Sequence, residues 1–178
     1  MNYNLTKYFG LIAIMFINLS CENKDVLYEA TDFAYVGEFT RGLEGPAVDK
    51  YGNLYFVNPF KNGSIGKVDS SGNFSIFIDE LPNNSVANGI RFGKNQEMFL
   101  ADYTQHNILV IDKDKNLARV YANDSTINQP NDLAICCDNL LFASDPSWKN
   151  NSGNLLKIKD GEITYLEKNM GTTNGIEV

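Results

Sequence analysis

The stretch PNDLAI, residues 130–135, places two short polar side chains directly before an apolar run. Asn131 and Asp132 are poor strand residues, whereas Leu133 to Ile135 favour a strand. A simple turn would explain the junction, but the same arrangement recurs along the chain. The polar residue that precedes an apolar run returns every 43 or 44 residues, at Glu44, Asn88, Asn131 and Asn174.

Each of these residues opens a unit of four short apolar segments separated by turns. In the first unit, the segments 47–48 and 54–57 flank a turn at 49–53, and a second hairpin covers 64–69 and 74–78. Four short strands per unit, at a period in the low forties, are typical of a β-propeller blade. An unrelated β-sandwich would not require equal spacing. The sequence therefore predicts an all-β β-propeller, of which the chain covers three blades and the first strand of a fourth.

Composition and charge are those of an ordinary globular protein with an acidic surface. The 178 residues are 43% hydrophobic and 21% charged, and the net charge is −7 with a pI near 4.7. This balance argues against a nucleic-acid partner, which requires basic patches. It is compatible with the attraction of a cation.

The amino-terminal residues form a separate segment. Residues 1–20 carry one Lys and then an apolar run that suits a signal peptide and is short for a membrane span. Cys21 follows Leu19-Ser20, as in a bacterial lipoprotein signal, although Asn18 stands where an aliphatic residue is usual. We expect lipidation at Cys21, a linker over 21–32 and a partial propeller domain over 33–178. Ordinary secretion and an uncleaved anchor remain the alternatives.

Cys136 and Cys137 are adjacent near a turn. Neighbouring residues of a strand point to opposite faces, so these two thiols would make a poor metal pair. A disulfide between them would be strained. The sequence predicts two unpaired thiols without a chemical role.

The recurring polar residues predict a common site. The innermost strands of all blades line the central channel of a propeller, so residues at the same position of successive blades converge there. A ring of carboxylate and amide oxygens suits calcium or magnesium better than soft metals. Asn-Gly alone is a frequent turn signal, but four residues in phase, one of them Glu44, favour a site.

Three polar residues lie outside this ring. His106 is the only histidine and lies in a loop near the expected channel mouth, so it is a candidate substrate contact, with a loop histidine of no role as the alternative. Asp102 and Asp145 end equivalent strands and are expected to bond to the backbone, with a site role as the alternative. One histidine without a matching serine motif gives no support for a Ser-His-Asp triad.

From about Phe39 onward the chain resembles the senescence-marker-protein/gluconolactonase/luciferin-regenerating-enzyme-like family. The motifs that carry the resemblance are Glu44-Gly45-Pro46, Gly52-Asn53-Leu54-Tyr55-Phe56, Asn88-Gly89-Ile90, Pro130-Asn131-Asp132-Leu133, Ala143-Ser144-Asp145-Pro146 and Asn174-Gly175-Ile176. Together and in this order they are fairly specific, whereas each alone is weak. The resemblance implies a propeller of six blades in the full-length protein and a metal-dependent lactone hydrolase.

The resemblance also implies roles for individual residues. Glu44, Asn131 and Asn174 would bind a divalent cation, with calcium favoured and with a substrate contact as the alternative for Asn131. Asn88 matches by blade phase only and is a candidate substrate contact. Asp132 is a second candidate substrate contact, with a second cation or the strand end as alternatives. The general base of the family is an Asp one blade later, which would lie beyond Val178, so no catalytic residue is assigned.

The expected activity is the hydrolysis of small or sugar lactones by a monomer in the bacterial cell envelope, periplasmic or on the outer membrane, with a lipid anchor as its only membrane contact. The alternative is a non-catalytic six-bladed propeller that serves as a binding scaffold. Three blades and one strand cannot close a ring. We therefore expect the sequence to be a fragment, with a truncated gene as the alternative, and to be inactive alone.

Overall fold

The computed structural model describes residues 28–61, 63–112, 114 and 117–178. The proposed signal peptide, Cys21 and most of the linker lie outside these residues. Residues 32–178 form one compact unit, and the fold is that of this unit. Over the described ranges, no helix has the length and apolar character needed to cross a membrane.

Three antiparallel sheets of four strands, which we number as blades 1, 2 and 3, make up the unit. Blade 1 contains β1 (Glu44–Val48), β2 (Leu54–Val57), β3 (Ile65–Val68) and β4 (Phe74–Ile78); blade 2 contains β5 (Ala87–Phe92), β6 (Met98–Asp102), β7 (Asn107–Ile111) and β8 (Ala118–Asn123); blade 3 contains β9 (Leu133–Cys136), β10 (Leu140–Ser147), β11 (Ser152–Lys159) and β12 (Glu162–Glu167). Short 3-10 turns occupy Pro82–Asn84, Cys137–Asn139 and Trp148–Asn150. The strands follow sequence order within each sheet, as the repeat predicts, and the predicted all-β propeller architecture is confirmed.

The same irregularity occurs in all three blades. The pairing of the third strand with the fourth shifts register between Ile65 and Gly66, between Ile108 and Leu109, and between Leu155 and Leu156. Such bulges bend a strand and increase its twist. Each repeat therefore encodes the curvature of a blade as well as its strands.

The hydrophobic core lies between blades, in two clusters. Alternate residues of β6 serve both clusters, because successive side chains of a strand point to opposite faces. Met98 and Leu100 pack with blade 1, whereas Phe99 and Ala101 pack with blade 3. Blade 2 is therefore the shared element of the core.

Glycine follows the polar marker in blades 1 and 2 because the next inner strand passes close by. Gly45 has a φ of +51°, and a Cβ there would lie 2.2 Å from the carbonyl oxygen of Asn88. A Cβ on Gly89 would lie 2.9 Å from the Cα of Asp132. These approaches bring the three inner strands side by side.

Buried aspartates of the second strands tie blades 2 and 3 to the segments before them. Asp102 ends β6 as the sequence predicts, whereas Asp145 lies within β10, which continues to Ser147. Asp102 accepts hydrogen bonds from the Ser85 hydroxyl at 2.7 Å and from the backbone N–H groups of Thr104 and Gln105. Asp145 accepts one from the backbone N–H of Asn128 at 2.7 Å. Both carboxylates bond to the backbone, as the sequence predicts.

Cys136 and Cys137 do not point to opposite faces, so the reasoning from strand alternation is wrong here. β9 ends at Cys136, and Cys137 begins a 3-10 turn. Alternation applies only within a strand, and the turn brings the two Sγ atoms to 3.7 Å.

Candidate metal and substrate site

A cavity of about 230 Å³ lies where the inner strands of the three blades begin. Its walls contain five of the six residues for which the sequence suggests metal or substrate contact, together with Gly45, Pro46 and Arg91. The five are Glu44, Asn88, Asn131, Asp132 and Asn174. Residues 43 or 44 positions apart in sequence therefore share one cavity, as equal blade phase requires.

Irregular pairing at the start of each inner strand presents these side chains. In blade 1 the register shifts between Glu44 and Ala47, and in blade 2 it shifts between Ala87 and Gly89, around Asn88. In blade 3, Asn131 precedes β9 and its backbone N–H donates to the Ser144 carbonyl at 2.9 Å. A bulge re-aims a side chain and commonly lies beside a functional site. This local geometry accounts for polar residues at the openings of otherwise apolar strands.

The side-chain oxygen of Asn131 is the least satisfied atom of the cavity. Asn131 Oδ1 is buried and has no hydrogen-bond partner among the described residues. A buried acceptor without a partner costs about 1–3 kcal/mol. A ligand that binds this oxygen would remove that cost.

The remaining oxygens of the ring are also open to a ligand. Glu44 is exposed, and within the described chain its carboxylate has neither an ion pair nor a hydrogen bond. Asn88 and Asn174 add amide groups to the same wall. This all-oxygen donor set fits a hard divalent cation such as calcium. No group of three or more His, Cys, Asp or Glu that could hold a metal occurs among the described residues, so amide oxygens would have to complete the ligand set.

Arg91 lines the cavity and was not identified from the sequence. One of its terminal nitrogens lies 3.3 Å from Asp132 Oδ2 and 3.7 Å from Glu177 Oε2. The side chains of Arg91 and Asp132 are only 21% and 19% exposed. A signal was present: the equivalent positions of the other two units are Ala47 and Ala134, so an arginine here breaks the repeat.

Asp132 connects the inner strands. Besides the contact with Arg91 in β5, its Oδ2 accepts a hydrogen bond from the Ile176 backbone N–H at 3.2 Å. Its Oδ1 accepts one from Leu133 N–H at 2.8 Å. These partners occupy the carboxylate, which favours the strand-end role over a second cation.

His106 lies outside the cavity. It is exposed in the turn between β6 and β7, with a φ of +58°, and its Nδ1 contacts the backbone carbonyl oxygen of Asn128. The turn lies at the same end of blade 2 as Asn88, since Ala87 pairs with Asp102. A substrate contact for His106 stays a prediction.

No protein-family model and no curated protein sequence matches the chain, but solved structures do. Virginiamycin B lyase from Staphylococcus aureus is 22% identical with a TM-score of 0.62, over 76% of this chain and 45% of that chain. The calcium-binding protein regucalcin from Agrobacterium tumefaciens is 17% identical with a TM-score of 0.58, over 73% and 44%. A gluconolactonase from Xanthomonas campestris is 15% identical with a TM-score of 0.60, over 71% and 47%.

The chain spans somewhat less than half the length of these proteins. At such identities the likeness concerns the fold, and it confirms at the structural level the resemblance to gluconolactonase-type propellers. The described chain is therefore three blades of the β-propeller fold that regucalcin, gluconolactonase and virginiamycin B lyase share.

Proposed function

We propose that the propeller to which these blades belong is a metal-dependent hydrolase that opens small or sugar lactones. The observation that carries the proposal is a cavity whose wall contains both the Glu44 carboxylate and the buried Asn131 Oδ1, neither of which has a partner among the described residues. The structural likeness to a gluconolactonase and to a calcium-binding regucalcin supports it.

Glu44, Asn131 and Asn174 would hold the cation, for which calcium is the favoured choice because all donors are hard oxygens. A bound divalent cation would polarise the lactone carbonyl and stabilise the oxyanion that forms when water attacks. Glu44 would contribute the negative charge that retains the cation, and Asn131 would contribute an oxygen that has no partner among the described residues.

The other cavity residues would position the substrate. Asn88 offers an amide to a ring hydroxyl or ester oxygen at the wall of the cavity. Asp132 is a poor general base because Arg91 and two backbone N–H groups already occupy its oxygens. We therefore place the general base outside the described residues, as the resemblance implies with an Asp beyond Val178.

The test is a panel of lactones with the full-length protein, with and without EDTA. We expect divalent-cation-dependent turnover and a product heavier than the substrate by one water. Glu44→Gln should lower kcat/KM by about 10²–10³, since it removes the charge that retains the cation. Glu162→Gln, an exposed carboxylate on β12, is the matched control and should keep full activity.

Three outcomes would contradict the proposal. Turnover that survives EDTA or Glu44→Gln excludes the metal mechanism. A product of unchanged mass with a new double bond would indicate elimination, a possibility raised by the likeness to a lyase. Calcium binding without turnover of any lactone would favour the alternative, a non-catalytic binding scaffold.

We also propose that the protein acts as a monomer in the bacterial cell envelope, attached by lipid at Cys21, without a nucleic-acid partner. Metabolic labelling with a palmitate analogue tests the anchor. Label that is lost in Cys21→Ser supports it, whereas an unlabelled wild type excludes it and leaves export open.

A further inference from the structure

Cys136 and Cys137 lie beside a cavity that is separate from the proposed lactone site. Both residues line a cavity of about 520 Å³ with Phe92, Lys94 and Asp138. This cavity lies at the far end of the inner strands from Asn131, because Leu133 begins β9 and Cys136 ends it. The proposed lactone site does not use these thiols.

The two thiols are accessible and close together. Cys137 is exposed and Cys136 is half-buried, and both are free. Their Sγ atoms lie 3.7 Å apart, in contact but not bonded. Burial raises the pKa of the Cys136 thiol, and the neighbouring Cys137 sulfur raises it further. Cys137 is the more accessible of the two thiols and therefore the better placed to begin an exchange, which depends on access to the attacking sulfur.

A disulfide between adjacent residues would be easy to reduce. Their Cα atoms are about 3.8 Å apart across a trans peptide, which is below the roughly 4.4–6.8 Å of ordinary disulfides. Strained and exposed disulfides are the labile ones. A bond formed here would therefore be reversible.

The turn that begins at Cys137 joins blades 2 and 3. Asn139 Oδ1 accepts a hydrogen bond from the Lys94 backbone N–H at 2.9 Å, and Lys94 Nζ lies 3.2 Å from Asp138 Oδ1. Asp138 and Asn139 both have left-handed φ angles, 53° and 55°, a conformation that costs non-glycine residues energy. Closure of a ring at Cys136–Cys137 would change the backbone directly before them.

We propose that Cys136 and Cys137 form a redox modification site that closes reversibly by exchange with a small-molecule or protein disulfide, and that closure weakens the contact between blades 2 and 3 at Lys94. In the first step the Cys137 thiolate attacks R–S–S–R, forms a mixed disulfide and releases one R–S⁻. The Cys136 thiol then loses its proton, attacks the mixed disulfide at Cys137 and releases the second R–S⁻. The two cysteines are oxidised, and the added disulfide is reduced to two thiols.

Incubation of the full chain with oxidised glutathione, alkylation of the remaining thiols and peptide mass spectrometry test the site. We expect a peptide lighter by two hydrogen atoms, with no alkyl group at either cysteine, that returns to the dithiol with reduced glutathione. Two alkylated cysteines, or a glutathione adduct that never resolves, would overturn the proposal. Cys136→Ser should stop the reaction at the mixed disulfide on Cys137.

Amide hydrogen exchange tests the consequence, and the chain supplies an internal control. The equivalent contact between blades 1 and 2 joins the Lys50 N–H to Gln96 Oε1 at 2.8 Å. Loss of one neutral hydrogen bond corresponds to about a 2- to 10-fold change in exchange rate. Oxidation should accelerate exchange at Lys94 by this factor and leave Lys50 unchanged. Equal rates at Lys94 in the two redox states would refute the coupling, and Cys137→Ser should abolish any response to the oxidant.

Discussion

The role of Asn131, a polar residue directly before a strand, can be inferred only from the hydrogen-bond partners around its side chain. Asn128, three residues earlier, has the same side chain, but its amide is tied into the structure because Nδ2 donates to Asp145 Oδ2 at 3.1 Å and to the Asp145 carbonyl oxygen at 3.3 Å. Asn131 Oδ1 is buried without a partner in the described chain. Only a buried oxygen without a partner makes its residue a candidate ligand.

Asn131→Leu should therefore have opposite effects without and with calcium. Without calcium, removal of the unsatisfied oxygen should raise the free energy of unfolding by about 1 kcal/mol. With calcium, the stabilisation that the ion gives the wild type should be reduced or lost. Urea unfolding in EDTA and in calcium measures both effects.

Asn128→Leu is the matched control for that comparison. It should lower the free energy of unfolding by about 1–3 kcal/mol in both conditions, because the buried Asp145 loses a donor. If Asn131→Leu behaves like Asn128→Leu, the Asn131 oxygen is part of an ordinary structural network and the cation site is wrong.

Arg91 and Asp132 should be energetically coupled. Their contact links β5 to the residue directly before β9 at low exposure, where a charge-assisted hydrogen bond is worth about 1.5–3 kcal/mol. A double-mutant cycle with Arg91→Met and Asp132→Asn should give a coupling energy of about 1 kcal/mol or more. The exposed pair Lys61 and Asp79, at 3.9 Å, is the control and should give about zero. Equal coupling in both pairs would contradict a stabilising role for the contact between Arg91 and Asp132.

Two turns of blade 1 contain aspartates whose hydrogen bonds should make the free energy of unfolding depend on pH. Asp49 Oδ1 accepts hydrogen bonds from the N–H groups of Tyr51 and Asn53, both at 2.9 Å. Asp69 repeats the pattern with Ser71 at 2.8 Å and Asn73 at 2.9 Å. Burial alone would raise the pKa of Asp49, but the hydrogen bonds from Asn53 and Tyr51 together hold it below its usual value.

A lowered folded-state pKa gives stability that is present above the unfolded pKa, about 4, and lost as pH falls through the folded value. We expect the free energy of unfolding to fall in this acid range. Asp49→Asn should flatten that fall, and Asp69→Asn should act in the same direction. Asp145 opposes the trend, because burial raises its pKa despite hydrogen bonds from Asn154 and Asn128. Urea unfolding across this pH range measures the slopes, and an unchanged slope in both turn variants would contradict the account.

The sequence predicts the elements better than it predicts their irregularities. Equal spacing predicts three blades and the shared cavity of Glu44, Asn131 and Asn174, because phase alone fixes which strand positions face the channel. The bulge around Asn88 and the turn after Cys136 depend on backbone torsions that hydrophobic alternation does not encode. Arg91 was missed because its partner, Asp132, is 41 residues away, although the break in the repeat at this position was visible.

For the whole molecule, the important feature is that its core is divided between two interfaces with one blade in common. Leu100 is fully buried between blades 1 and 2, and Leu141 is fully buried between blades 2 and 3. β6 contributes alternate residues to both clusters. Loss of packing at either interface should therefore destabilise blade 2 and, through blade 2, the blade on its other side. The compact unit should then unfold as one cooperative domain.

Leu100→Ala and Leu141→Ala should each lower the free energy of unfolding by about 2–5 kcal/mol, the usual cost of a cavity at a buried leucine. Hydrogen exchange of the slowest amides should accelerate in all three blades, whichever interface is altered, because these amides exchange through global unfolding. Leu117→Ala, at a side chain that is 69% exposed, should change stability by no more than about 0.5 kcal/mol. If Leu100→Ala accelerates exchange in blades 1 and 2 but leaves blade 3 protected, the interfaces unfold separately and blade 2 does not couple them.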